Sequence, residues 1–246
     1  MTHLPGKFMW FEHFSDDVPK ARAFYSALFG WVTDPVPMGS ESYPLIQNGE
    51  SGIGGFRAAP PDSRNMWMSY LSVADVDAAT RAAQEAGAKV LLPPTDFPPV
   101  GRGATVADPT GAVFSVWRGA DADPADTETI PPGAWYWNEC WTPKPDMALL
   151  FYEKVFGFTH ETMASAHQSA YQVLMMDGIA RGGIMEATQP GPQAGWTPYV
   201  SVIDCDATAS RAAELGAHVG LPPTDIPDVG RIAVFMDTCG AMFGIV

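Results

Sequence analysis

Two short runs, WFEHF at 10–14 and WNECW at 137–141, each set a carboxylate between large aromatic side chains at alternate positions. In an extended strand residues i, i+2 and i+4 share one face. Trp10, Glu12 and Phe14 then line one surface, and Trp137, Glu139 and Trp141 line its counterpart. Apolar surroundings disfavour the charged form of a carboxylate, which suits a general base or a strong hydrogen-bond acceptor. A phenol is available to each: YLSV at 70–73 supplies Tyr70 and YVSV at 199–202 supplies Tyr199 as acid partners of Glu12 and Glu139. A structural alternative stays open, because a buried carboxylate must find a partner. Arg102 and Arg231, each from a VGR triplet, would then form buried ion pairs with Glu12 and Glu139.

The other reactive residues point to less. Alternation turns His13 away from Glu12, toward the helices, as a core histidine, and Cys140 takes the same slot without any activating feature. His160 and His167 flank a turn, His3 is near the N-terminus and His218 opens a strand. No histidine pair has the i, i+4 spacing of a helical metal site. There is no nucleophile elbow, P-loop or dinucleotide fingerprint.

The elements that must position these groups are written twice. WFEHFSDDVPKARAFYSALFGW (10–31) aligns with WNECWTPKPDMALLFYEKVFGF (137–158), and PPTDFPPVGR (93–102) recurs as PPTDIPDVGR (222–231) with eight of ten positions identical. GGF at 54–56, YLSVADVDAATRAAQEAGA at 70–88 and DPTGAVF at 108–114 are echoed by GGI at 182–184, YVSVIDCDATASRAAELGA at 199–217 and DTCGAMF at 237–243. Such self-similarity marks a tandem duplication. Within each copy an aromatic strand precedes a helix stopped by Gly30 or Gly157, then further strands. A second strand restarts near residue 67, followed by a helix capped at Asp75 and ending at Gly87, and more short strands. The pattern is strand, helix, three strands, four times over. The boundaries are residues 1–118, an acidic Pro-rich linker at 119–132, and residues 133–246. The repeated ten-residue phrase reads as the loop leading into the last strands of each copy.

Composition narrows the function classes. The 14 Lys and Arg stand against 28 Asp and Glu, a formal charge of −14, which argues against nucleic acid and anionic membrane surfaces as partners. No signal peptide or membrane span is evident. Three cysteines suit reduced thiols in a cytoplasm better than a disulfide framework.

The βαβββ repeat, the FY…FGW helix pattern and DPTGAVF resemble the vicinal oxygen chelate superfamily, which includes glyoxalase I, bleomycin-resistance proteins and extradiol dioxygenases. WFEHF…DVPKARAFY…FGW with PPTDFPPVGR…VADPTGAVF resembles its two-domain bacterial glyoxalase-like or hydroxylase-like subgroup. The resemblance implies an α+β fold of tandem glyoxalase-like domains, with four βαβββ units forming two cupped sheets. It also assigns metal-ligand positions, which here carry Trp10, Met68 and Ser115 in the first copy and Trp137, Thr197 and Gly244 in the second. Indole offers no lone pair and a thioether is a soft ligand, so no metal and no cofactor is expected. The concave faces instead gather Trp10, Phe14, Met68, Ser115 and Trp117, and Trp137, Trp141 and Thr197, the makings of a mostly apolar small-molecule pocket. Three readings follow: a metal-independent acid–base enzyme acting on a hydrophobic or aromatic metabolite, a protein that only sequesters such a molecule, and a metal enzyme with ligands away from the family positions, such as His13 with Glu12. Duplication within one chain is compatible with a monomer or a homodimer.

Overall fold

The computed structural model describes residues 2–38, 41–163, 170–187 and 194–246. In the first copy the elements are β1 (Phe8–Ser15), α1 (Val18–Phe29), β2 (Val32–Met38), β3 (Glu41–Asn48), β4 (Ser51–Ala58), β5 (Met66–Ser72), α2 (Val76–Glu85), β6 (Lys89–Phe97), β7 (Gly101–Ala107) and β8 (Val113–Gly119). The second repeats them as β9 (Trp135–Thr142), α3 (Pro145–Phe156), β10 (Thr159–Met163), β11 (Tyr171–Met176), β12 (Ile179–Glu186), β13 (Gly195–Val200), α4 (Cys205–Glu214), β14 (His218–Ile226), β15 (Gly230–Met236) and β16 (Met242–Ile245). Each copy makes one eight-stranded sheet, in the orders β2-β3-β4-β1-β5-β8-β7-β6 and β10-β11-β12-β9-β13-β16-β15-β14. This is the α+β arrangement of tandem glyoxalase-like domains.

Local chemistry accounts for the helix limits. The Asp17 carboxylate caps α1 by accepting from the Lys20 amide at 3.0 Å, and Pro19 sits in the first turn, where a missing N–H costs nothing. Gly30 ends the helix at φ 72°, a left-handed conformation that a side chain would strain. Asp75 and Asp204 cap α2 and α4 in the same way, through the amides of Ala78 and Ala207.

Two compact units interleave the copies. One holds residues 1–9, 69–125 and 138–196, the other 10–68, 126–137 and 197–246. The core of the second is aromatic: Tyr25, Trp31, Phe56, Trp67 and Phe243 are all at most 1% exposed. That of the first is built on Leu71, Phe114, Tyr152, Leu174 and Ile184, all fully buried.

Part of the acidic linker is anchored. Asp123 is buried and accepts from the Leu4 amide at 2.7 Å and from the Ser72 hydroxyl. At the far end of the linker the Trp31 indole donates to the Gly133 carbonyl at 2.8 Å.

The repeated phrase is more than a loop. It runs from the end of β6 through a turn into β7, and its Arg102 clasps Asp96 across the turn (2.7 Å) and Asp77 in the first turn of α2 (2.8 and 3.0 Å). Arg231 does the same with Asp225 (3.0 Å) and Asp206 (2.7 and 2.9 Å). The hydrogen bonds from these arginines hold the Asp77 and Asp206 carboxyls below their ordinary range. The phrase therefore ties a hairpin tip to a helix, and its two arginines are committed there.

Candidate functional site

Alternation along β1 works as expected. Phe11 and His13 face the α1 side, with His13 edge-on to Tyr25 and Trp67, while Trp10 and Glu12 share the helix-free face. Glu12 is 4% exposed, and its ion-pair partner corrects one expectation. The arginine that binds it is Arg57 from β4, whose Nε donates to both carboxylate oxygens at 3.0 and 3.1 Å, not Arg102. The phenol that donates to it is Tyr43 from β3, at 2.7 Å. The Trp10 indole donates to that phenol oxygen at 3.1 Å, and the Arg57 guanidinium lies 5.1 Å from the Tyr43 ring centre. Burial, then the charge of Glu12, pushes the Tyr43 phenol well above its ordinary range, so it stays a donor. Glu12 is thus an engaged acceptor rather than a carboxylate in apolar surroundings.

The backbone is shaped for this bond. Glu12 pairs with Gly55 across β1 and β4, and a Cβ on Gly55 would overlap the Tyr43 phenol. In the second copy Glu139 pairs with Gly183, and a Cβ there would overlap the phenol of Tyr171. The arginine has moved: Arg57 lies two residues after its glycine, whereas Arg181 lies two residues before Gly183. A shallow cleft of about 370 Å³ opens beside Tyr43, Arg57 and Val18, and a related one of about 570 Å³ beside Lys144, Pro145 and Glu186. Tyr43 and Arg57 escaped the sequence reading, although Tyr43 and Tyr171 hold the same place in the repeat, each twelve residues before the glycine that makes room for it.

The faces built by β5–β8 and β13–β16 diverge. In the first, Tyr70 pairs with Ser115 and Ser115 with Thr105, whose hydroxyls are 2.9 Å apart. Trp117 pairs with Gly103 and lies over bare backbone: a Cβ on Gly103 would come within 2.5 Å of the indole, and one on Gly101 within 2.8 Å. Tyr70 meets that indole edge-on at 5.8 Å, and Phe97 meets it at 5.7 Å. Tyr70, Thr105 and Trp117 remain partly exposed. In the second, Tyr199 pairs with Gly244, a Cβ there would overlap its ring, and Tyr199 is only 3% exposed. Tyr199 fills the space that the Ser115 side chain takes in the first copy.

Of the remaining expected lining, Met68 and Thr197 are buried, and Trp10, Phe14, Trp137 and Trp141 are partly exposed. His167 lies outside the described residues, and His160 pairs with Glu153 at 2.6 Å.

Behind these faces lies a duplicated buried network. Trp67 donates to Tyr25 (2.7 Å) and Tyr25 to Asp237 (2.8 Å), whose other oxygen caps its turn through the amides of Cys239 and Ala241. Trp196, Tyr152 and Asp108 repeat it, with 2.9 and 3.1 Å links. His13 adds a fourth member, its Nε2 2.7 Å from Asp237, where the other network has Cys140. Burial alone would raise the Asp237 carboxyl, but the His13 bond and charge, the Ala241 amide and the Tyr25 phenol together hold it low. Burial, then Asp108 and Glu139, pushes the Cys140 thiol well up, which rules out an activated thiolate.

The metal implied by the resemblance finds no matching donors. Trp10, Met68 and Ser115, with Trp137, Thr197 and Gly244, hold the expected ligand positions, and Glu12 is occupied by Arg57 and Tyr43. Among the described residues no three His, Cys, Asp or Glu side chains gather to hold an ion. His13 and Glu12 point to opposite faces and do not converge. The described residues at the expected ligand positions do not fit a divalent-metal centre. No described helix is long and apolar enough to cross a membrane.

Comparison with known proteins agrees with the fold. Residues 11–117 match the family model of a glyoxalase-like domain. The chain is 38% identical over 242 residues to "Putative glyoxylase CFP32" of Mycobacterium tuberculosis, covering 96% of this chain and 92% of that one. It is 31% identical over 262 residues to the anthracycline biosynthesis protein DnrV of Streptomyces peucetius, covering 98% and 93%. Among solved structures it superposes on the Mn(II)-bound glyoxalase from Novosphingobium aromaticivorans with a TM-score of 0.65 at 19% identity, covering 97% of this chain and 80% of that one. It also superposes on homoprotocatechuate 2,3-dioxygenase from B. fuscum with a TM-score of 0.67 at 14% identity, covering 99% and 71%. These two likenesses bear on the fold alone. The chain belongs to the glyoxalase-like family of the vicinal oxygen chelate superfamily.

Proposed function

We propose that this protein binds a hydrophobic, aromatic small molecule without the help of a divalent metal, in a cytoplasmic setting. The observation that carries this reading is the state of Glu12: its two oxygens already accept from Arg57 and Tyr43. The Arg57 guanidinium and the Tyr43 phenol both favour the charged form of Glu12, which makes it a weaker base toward a ligand. Its part in this reading is structural: it fixes Arg57 and Tyr43 in place. Aromatic rings with a few fixed polar groups are the usual composition of such pockets.

A second reading makes the protein a metal-independent acid–base enzyme, with Glu12 or Glu139 as base and Tyr70 or Tyr199 as acid. The names of the relatives, a glyoxylase and an anthracycline biosynthesis protein, favour it. One experiment addresses both. Protein stripped with EDTA is screened by thermal shift against planar aromatic ketones, and each compound that binds is incubated with it and followed by mass spectrometry. Binding that survives stripping, without conversion of the compound, supports the first reading. Conversion that survives stripping and is lost in Glu12→Gln supports the second. Binding that vanishes with EDTA and returns with Mn(II) or Zn(II) sinks both.

A further inference from the structure

We infer that the face of β5–β8 holds the ligand-recognition site, and that its ligand is a planar aromatic molecule carrying a carbonyl oxygen. This rests on the reading of the protein as a small-molecule binder and names where and what it binds.

Two features of that face point the same way. The first is Trp117. A strand that gives up side chains at Gly101 and Gly103 loses packing and entropy; here the loss clears a bed for one face of an indole. Tyr70 and Phe97 flank the ring and fix its tilt, and part of its surface stays in solvent. A rigid indole supported from below is a stacking surface for another flat ring. The second copy has Ile232 and Val246 in the places of Gly103 and Trp117, and no such platform.

The second feature is the pair Thr105 and Ser115. Two hydroxyls 2.9 Å apart share one hydrogen between them and keep one more to offer. Ser115 is 2% exposed and Thr105 is partly exposed. When Ser115 is the donor of that bond, the Thr105 hydroxyl can donate to an acceptor oxygen on a ring stacked over Trp117. The second copy replaces the pair by Val234 and Gly244, and its Tyr199 occupies the vacated space. Ser115 thus acts twice: it polarises Thr105, and its bulk keeps Tyr70 from sinking as Tyr199 does.

The test uses full-length protein labelled with 5-fluorotryptophan and followed by fluorine NMR, with the Trp117 resonance assigned as the one missing from Trp117→Phe. Two probes of nearly equal shape are titrated, 2-acetylnaphthalene and 2-ethylnaphthalene, which lacks the carbonyl. Both should move the Trp117 resonance, and the ketone should bind roughly five- to ten-fold more tightly, the value of one well-placed hydrogen bond. Thr105→Val should abolish that preference while stacking persists. The variant is expected to fold, because the second copy carries valine at this position. Binding that leaves the Trp117 resonance in place, or a ketone preference unchanged in Thr105→Val, overturns the site while leaving the small-molecule reading intact. If neither probe binds and no other planar aromatic ketone does, the small-molecule reading fails and the site with it.

Discussion

The faces of β5–β8 and β13–β16 descend from one sequence and are now packed differently. Their register is the same, with Tyr70 opposite Ser115 and Tyr199 opposite Gly244. Four positions separate them: Gly103, Thr105, Ser115 and Trp117 in the first face stand where Ile232, Val234, Gly244 and Val246 stand in the second. Where serine stands, the tyrosine is partly exposed beside an indole platform; where glycine stands, the tyrosine packs against the strand and is buried. A side chain at position 244 would meet the Tyr199 ring, so the glycine there lets that face fill itself. The buried networks teach the reverse. There the Trp–Tyr–Asp links survived duplication intact, because an unpaired carboxylate or phenol in the core costs too much to drift.

The largest effect should come from breaking those networks. Asp237→Ala leaves His13, Tyr25 and two turn amides without their acceptor and should cost about 3–5 kcal/mol. Asp108→Ala, with no histidine to strand, should cost less, about 2–3 kcal/mol; urea denaturation compares the two. Next come the exchanges that convert one face into the other. Gly244→Ser must push the Tyr199 ring out of its place, an overpacking cost of about 1–3 kcal/mol, read as a fall in Tm. Ser115→Gly should cost about 1–2 kcal/mol, for the lost Thr105 bond and a glycine within a strand, and remove the ketone preference.

A pH prediction separates the networks further. Asp237 has a carboxyl held below its unfolded value, so the stability it contributes is complete above about pH 4 and is lost as pH falls through the lowered value. Acid unfolding below about pH 4 should therefore be shallower in Asp237→Asn than in the parent. The smallest effect belongs to the exposed clasps. Arg102→Lys and Arg231→Lys should leave the urea midpoint nearly unchanged and change it equally, since exposed ion pairs contribute little. A large drop in one of them alone would show that the two hairpin tips are not equivalent.

Much of this was legible in the residues. The duplication, the helix cap at Asp75, and His13 and Glu12 on opposite faces of one strand all follow from periodicity and capping chemistry, which act within a few residues. What stayed hidden depends on register between strands distant in sequence. Nothing local to Glu12 says that Tyr43 and Arg57 will arrive beside it, and the arginine of the conspicuous VGR phrase proved to be held by Asp77 and Asp96. The glycines were the missed signal. Gly55, Gly103 and Gly244 each mark a place where a ring or phenol lies on bare strand, whereas in the sequence Gly55 served only as part of a repeat and Gly244 only as an empty ligand position. The contrast between Ser115 and Gly244 was visible, but its consequence needed the tyrosine opposite each.

The most direct measurement of the central claim is binding stoichiometry. Isothermal titration of metal-stripped protein with 2-acetylnaphthalene should give one site per chain, unchanged by Tyr199→Phe and lost in Trp117→Ala. Two sites per chain, or one that disappears with Tyr199 and ignores Trp117, would contradict the account.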